Sequence, residues 1–390
     1  MKGDDIMIYF DQAASSFPKP AEVAEAMVKA VNETAANPGR GSHRLGRQAA
    51  QIINQTREKA AHLFGCSDPG KAIFSNNATV ALNQAIKGLN WKKDDHIITT
   101  SFEHNAMRRP FNYLEENYGV HITYIDWDQD EHKMEEKVKK AINPKTKLMA
   151  MTHASNVTGT IIPLKKIIGI AKQYGVTTLV DASQTAGHLD INMKDQQIDM
   201  LAFPGHKGLL GPQGIGMLLV EGDIQLTPIH HGGTGSFSES PAQPDQWPER
   251  LESGTLNTPG IAGLLAAFEV YENNKHNNVP RETLLINKLL EGMNKIPGIH
   301  IYVPPKSENR LPISAFNINS IHSQEIAVIL DSHYDIAVRG GLHCSPLAHQ
   351  VLNTANQGVV RASLSYYNTE EEVEQFLQAV KEIAEVYQEF

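Results

Sequence analysis

Apolar and polar positions along this chain change period again and again. The stretch KAIFSNNATVALNQAIKGL, from Lys71, reads as a strand, a polar turn and a helix. Short apolar runs then alternate with helical spacing. The strands are His96 to Thr100, Ile122 to Ile125, Leu148 to Thr152 and Val176 to Val180; the helices are Met107 to Asn117, Met134 to Ile142 and Leu164 to Tyr174. Upstream lie a short strand, Ile8 to Phe10, a helix opened by Pro20 with Val23, Met27 and Val31 on its apolar face, and a helix Gln48 to Phe64. A further apolar strand, Ile215 to Val220, follows a glycine-rich run. Strands alternating with helices imply an α/β fold, a mostly parallel sheet covered on both faces.

From Pro259 the texture changes. Helices are expected at Ile261 to Asn273 and Glu282 to Met293, then strands at His300 to Val303, Ile313 to Asn317 and Ile336 to Arg339, with a helix Gln324 to Asp331 among them. A strand Val359 to Ala362 and a helix Thr369 to Phe390, with acids in its first turn, end the chain. This is the pattern of a smaller α+β C-terminal domain. A chain of 390 residues is too long for one small core, so two domains are expected.

Composition narrows the function classes. Apolar residues make up 41% of the chain, ample for burial, and the net charge of -9 is the wrong sign for a nucleic-acid partner. The start, MKGDDIMIYF, lacks the long apolar stretch of a secretory signal, and no run of 18 apolar residues suits a membrane. The two cysteines, Cys66 and Cys344, form neither a disulfide framework nor a CxxC pattern. A reducing cytoplasm is therefore expected. The pair His230-His231 has no second ligand pair at metal spacing, so no metal is expected.

The chemistry concentrates in FPGHKGLLGPQGIGMLLV. Lys207 stands in an otherwise uncharged, glycine-dense segment. A desolvated ammonium loses proton affinity and becomes a nucleophilic amine, able to form a Schiff base with the aldehyde of pyridoxal 5'-phosphate (PLP). A lysine capping a turn between core strands would read the same way. Upstream, Asp181 ends the strand of GVTTLVDASQTAGH, at the strand mouth where open α/β sheets bind ligands. PLP needs such an anion to keep its pyridine nitrogen protonated; a helix N-cap is the plainer role for Asp181. Together, Asp181 and Lys207 favour the cofactor. Asn77, Ala78 and Thr79 fall at a helix start, where free N–H groups bind phosphate, though a Thr there often only caps. Asn156, at another strand end, carries an amide able to donate to a ring oxygen or a carboxylate, or simply makes a turn.

The motifs VDASQ, GHKGLLGPQGIG, RLESGTLNTPG, RGGLHCSPLAH and VVRASLSYYNTEEEVEQF, in that order, resemble the class V aminotransferase family, closest to its cysteine desulfurases and selenocysteine lyases. The resemblance spans about Tyr9 to the C-terminus. It implies a PLP-dependent fold type I homodimer with shared active sites, acting on a small amino acid. It also implies an N-terminal segment, 1–20, packing with the small domain, a large PLP-binding domain, 21–258, and a small domain, 259–390. Residue by residue, it assigns the PLP phosphate to Ala78, Thr79 and His206, and to Thr255 for the neighbouring subunit. Stacking on the ring and acid/base work fall to His104, the phenolic oxygen to Gln184, and the Schiff base to Lys207. Arg361 clamps the substrate carboxylate; its plainer role would be a surface ion pair with the Glu370–Glu372 run. The loop ANPGRGSHRLGRQ approaches the site, with His43 the position of interest. The family usually places Ser or Thr two residues before the histidine, where this chain has Pro204, so one phosphate contact should be missing or supplied elsewhere.

The reaction implied is removal of sulfur from L-cysteine, giving alanine and a persulfide on Cys344, with a sulfur-acceptor protein as a further partner. Cys344 lies in a polar, glycine-rich loop where Arg339 and His343 would lower its pKa, whereas Cys66 reads as a buried, inert thiol. A selenocysteine lyase would share nearly every residue, an aminotransferase would not need Cys344, and an inactive sulfur-relay scaffold would keep only the fold.

Overall fold

The computed structural model describes residues 7–34, 36–38, 43–128, 130–302 and 310–387. The N-terminal MKGDDI, Arg40 and its neighbours before His43, Val303 at the end of its expected strand, and the last three residues of the expected final helix lie outside that range. After strand β1 (Ile8–Tyr9) come helices α1 (Ala21–Glu33) and α2 (Arg44–Phe64). The alternating region follows as β2 (Ala72–Ser75), α3 (Ala78–Gly88), β3 (His96–Thr100), α4 (Asn105–Tyr118), β4 (His121–Ile125), α5 (Glu131–Ala141), β5 (Thr146–Thr152), α6 (Leu164–Gln173), β6 (Thr177–Asp181), α7 (Met193–Gln196), β7 (Met200–Pro204) and β8 (Gly216–Val220). The remainder is α8 (Thr258–Met293), β9 (Ile299–Ile301), β10 (Ile313–Ile318), α9 (Ser323–Tyr334), β11 (Ile336–Ala337), β12 (Arg339–Gly341), α10 (Pro346–Val351), β13 (Val359–Ser363) and α11 (Glu370–Val386).

Seven strands form the main sheet in the order β2-β8-β7-β6-β5-β3-β4. Only β8 runs against its neighbours; every other pairing is parallel. Strands β3, β7 and β8 are buried throughout, which explains their apolar runs, whereas the edge strand β4 is largely exposed or half-buried. A four-stranded antiparallel sheet, β12-β13-β10-β9, carries a second core with α11 and the end of α8. The fold is thus α/β with a small second sheet, as the sequence implied. Ile8 and Phe10 join that second core, and β1 pairs with β11.

Four expectations need correction. The two helices expected between Ile261 and Met293 are one 36-residue helix running through Pro280. Its ends bury apolar residues in different cores, Ile261, Leu264 and Phe268 in the first, Leu285, Leu289 and Met293 in the second. Packing at both ends outweighs the bond lost at proline and the polar run between them. The expected strand Ile336 to Arg339 splits, β11 pairing with β1 and β12 with β13. Strand β7 was hidden by its terminal Pro204, which argues against a central strand but is tolerated at a strand's end. Val31, expected on the buried face of α1, is 56% exposed.

Candidate active site

Eight of the residues expected around the cofactor line one cavity of about 100 Å³: Ala78, Thr79, His104, Asn156, Asp181, Gln184, His206 and Lys207. The parallel strands deliver most of them at their carboxyl ends. His104 follows β3, Asn156 follows β5, Asp181 ends β6 and Lys207 follows β7. Ala78 and Thr79 open α3, whose N-cap Asn77 accepts from Val80 N. Gly216 lets that helix end come close, because a Cβ there would meet the Asn77 carbonyl carbon at 2.8 Å.

Lys207 is set by a tight turn, with Leu210 N donating to Lys207 O at 2.7 Å and Gly211 N to Gly205 O at 2.8 Å. The turn packs against the one after β6, and only glycine fits at Gly187, where φ is +95° and a Cβ would lie 2.2 Å from Gly208. Among the described residues the Lys207 amine has no hydrogen-bond partner. Desolvation pulls its pKa down to about 8, against the upward pull of the Asp181 carboxylate. Asp181 is 3% exposed, and one oxygen accepts from Ser183 N at 2.9 Å.

Two histidines are held neutral. His104 caps α4, its Nδ1 accepting from Ala106 N at 3.0 Å, which leaves the proton on Nε2. Burial lowers its pKa, the Asp181 carboxylate opposes that, and the charges of Lys207, Arg339 and Arg109 add to the lowering. Burial, then Lys207 and Lys19, push His206 down to about 4. The His206 carbonyl accepts from Ser16 N and from Lys19 Nζ, so the N-terminal loop braces the turn that holds Lys207.

Arg361 is not a surface residue. It is 1% exposed, donates from Nη2 to Asp11 at 2.8 Å and from Nη1 to the Asn156 carbonyl at 2.9 Å, and keeps Nε without a partner. The ion pair considered with Glu370–Glu372 is absent; β13 points this guanidinium into the protein, whereas Glu370 and Glu374 pair with Lys288. Asp11 was not singled out from sequence, though a carboxylate closing the IYF strand is the same signal as Asp181.

Cys344 is exposed and lies outside the Lys207 cavity, but it hangs from that cavity's wall. Asn105 N donates to Cys344 O at 2.8 Å, and Asn156 Nδ2 to His343 O at 2.7 Å. His343 is not the cationic neighbour expected. Its ring is buried against His349 and the Val359 carbonyl, and burial first, then Arg361, pushes its pKa down to about 2, so it carries no charge near the thiol. Cys66 is buried as expected, its thiol pushed up to about 11 by desolvation.

Two expected residues lie elsewhere in this chain. His43 is an exposed N-cap of α2, its Nδ1 accepting from Gly46 N. Thr255 is exposed beside a separate cavity with Arg57 and Glu252. His230 and His231 are exposed, and among the described residues no cluster could hold a metal. Residues missed from sequence include Thr152 and Ser183 in the cavity wall, and Glu103, which accepts from Thr152 N of that wall. Glu103 is fully buried, accepts from Thr100 Oγ1 and Thr152 N, and is raised to about 8 by burial.

The donor set suits PLP: a helix N-terminus and a neutral imidazole for phosphate, a buried carboxylate for a protonated ring nitrogen, a flat imidazole, and an unpaired, desolvated amine. Pro204 does line the cavity and offers no hydroxyl, while Ser183 stands in the same wall.

The class-V aminotransferase family model matches residues 8–376. A probable cysteine desulfurase of Methanothermobacter thermautotrophicus is 34% identical over 97% of this chain and 94% of its own length. A cysteine desulfurase of Escherichia coli O157:H7 is 32% identical over 97% and 93% respectively. The apo structure of a cysteine desulfurase from Thermococcus onnurineus superposes with TM-score 0.89 at 33% identity, covering 97% of this chain and 95% of that one. The chain therefore belongs to the PLP-dependent class-V aminotransferase family, in its cysteine desulfurase branch.

Proposed function

We propose that this protein is a PLP-dependent cysteine desulfurase that takes sulfur from L-cysteine onto Cys344 and releases L-alanine. The observation that carries the reading is a desolvated lysine, Lys207, and a buried carboxylate, Asp181, in one cavity with an exposed thiol, Cys344, tied to its wall.

Ala78, Thr79 and His206 hold the phosphate of PLP, joined by Thr255 of a second copy. His104 would stack on the ring, Gln184 would serve its phenolic oxygen, and Asp181 would keep its nitrogen protonated. When bound, the cofactor supplies an electron sink that eases loss of the proton on the substrate α-carbon. Arg361 receives the substrate carboxylate with its planar fork, assisted by Asn156. Lys207 Nζ, low in proton affinity, takes the α-proton and later returns one. Cys344 Sγ attacks the substrate sulfur. The Sγ–S bond forms as the carbon–sulfur bond breaks, and the carbon regains protons to become alanine. Sulfur then passes from the persulfide to a sulfur-acceptor protein. By the family resemblance His43 would approach the substrate, although within this chain it is the exposed N-cap of α2.

The chain divides at 20/21 and 258/259, with α8 shared between the two cores. The active unit on this reading is a homodimer, since the family resemblance gives Thr255 to the phosphate of a second copy, and Thr255 is exposed and does not line its own chain's Lys207 cavity. Mixing Lys207→Ala and Thr255→Arg chains should restore partial activity through heterodimers that carry one intact site; no recovery with heterodimers present overturns sharing. A reducing cytoplasm keeps Cys344 a free thiol. Assay of the purified protein with L-cysteine should give equimolar alanine, with sulfide released once reductant is added. Transamination without sulfur release would instead favour an aminotransferase.

A further inference from the structure

The side chain of Asn156 is engaged on both sides of Cys344. Its Nδ2 donates to the His343 carbonyl at 2.7 Å, and its Oδ1 accepts from the Ser345 hydroxyl at 2.7 Å. Ser345 is fully buried, and this amide is its side chain's partner. The same amide lines the Lys207 cavity. The conformation it holds is one the backbone resists. His343 and Cys344 are consecutive non-glycine residues in the left-handed region, with φ of 50° and 59°. The flanking glycines do not absorb the change. Gly340 and Gly341 are committed to β12, paired with Val360 and Val359, and a Cβ on Gly340 would meet Ser323 O at 2.4 Å. Freedom for the thiol therefore begins at Leu342, within the segment that Asn156 holds.

We propose that Asn156 and Ser345 form a substrate-operated latch on the Cys344 segment. A carboxylate entering the cavity is a charged acceptor and outcompetes a peptide carbonyl for the Asn156 N–H. Loss of the bond to His343, with the Asn105 N–H still on the Cys344 carbonyl, loosens the strained segment and lets it carry its thiol inward. Arg361 makes the coupling direct, since the guanidinium that receives the carboxylate also donates to the Asn156 carbonyl. Ser345 acts through Asn156 and is a positioning residue. The purpose of the latch rests on Cys344 being the sulfur acceptor; its existence does not.

The test is hydrogen–deuterium exchange of the 341–347 segment in PLP-loaded protein, with and without saturating L-alanine. Alanine carries the same carboxylate and has no sulfur to transfer. In the wild type, alanine should accelerate exchange roughly two- to tenfold, the range of one neutral hydrogen bond. Ser345→Ala should exchange that fast without alanine and respond little to it. If Ser345→Ala fails to load cofactor, Asn156→Asp serves instead, because it cannot donate to His343 and should also exchange fast without alanine. No acceleration in the wild type overturns the latch. So does a variant that exchanges faster yet keeps the full response to alanine, as a purely structural hydroxyl would. Failure of the sulfur-acceptor reading would appear separately, as wild-type alanine production by Cys344→Ala.

Discussion

Lys207 and Cys344 occupy opposite kinds of surroundings. The lysine sits in a turn so closely packed that Gly187 and Gly208 cannot carry a side chain, and desolvation alone moves its pKa furthest. The cysteine stands exposed on a segment whose backbone is strained and whose position depends on hydrogen bonds to the cavity wall. In the proposed mechanism one group must be fixed and dry to act as a base, and the other must be reachable and able to move. Packing holds the lysine inside the cavity and tethering holds the thiol just outside its wall, which is the arrangement the proposed pair of reacting groups would need.

The strongest way to break the comparison is to remove each group. Lys207→Ala should lose the yellow colour of cofactor-loaded protein and lower turnover by about 10⁴-fold. A coloured, active variant would remove Lys207 from its role. Cys344→Ala should stay yellow and still change its spectrum on adding L-cysteine, while alanine production falls on the order of 10³-fold. Selenocysteine cleavage should partly survive, because a weaker carbon–selenium bond asks less of the nucleophile. Asp181→Asn should keep some cofactor but lose about 10²- to 10³-fold in rate, since the ring nitrogen is no longer held protonated.

A smaller effect separates the two regions by stability. His188 packs against Gly208, beside Lys207, and pairs with Glu282 at 2.9 Å; Glu282 also accepts from Tyr366 N. Desolvation pulls the His188 pKa down, but the Glu282 charge and hydrogen bond more than offset it, and the net shift is upward. A raised histidine stabilises fully below its unfolded value, and that contribution fades as pH climbs through the folded one. His188→Asn should therefore cost about 2 kcal/mol near pH 6, a gap in Tm that closes as the solution becomes alkaline. A gap that widens instead would contradict the pairing. Exchange of the Cys344 segment should not change.

The Lys207 wall was legible because its signals are local. A lysine among glycines, a carboxylate at a strand's end and a helix start after a strand each announce themselves within a few residues. The long-range parts were not legible. Asp11 meets Arg361 across 350 positions, and the Lys19 ammonium reaches His206 across 187. No period or spacing links such pairs. The same holds for α8, where local composition argued for a break at Pro280 and packing on two cores prevented one. The surroundings of Cys344 misled in a different way. RGGLHC reads as a basic, flexible loop, yet His343 turns inward and the two glycines belong to a strand.

The pH dependence of cofactor capture sharpens the comparison further. With a pKa of about 8, Lys207 is deprotonated in about one chain in ten at pH 7, against fewer than one in a thousand for a lysine at its ordinary value. The neutral amine is the form that attacks an aldehyde, so the rate at which apoprotein turns yellow with PLP should rise close to tenfold per pH unit below 8 and level off above it. Asp181 holds the ammonium's pKa up, opposing desolvation. Removing that charge in Asp181→Asn should move the inflection to lower pH, while Cys344→Ala should leave it in place. An inflection near 10 in the wild type would mean that the glycine-tight turn does not desolvate its lysine. A shift caused by the Cys344 variant would mean that the two regions are not electrically separate.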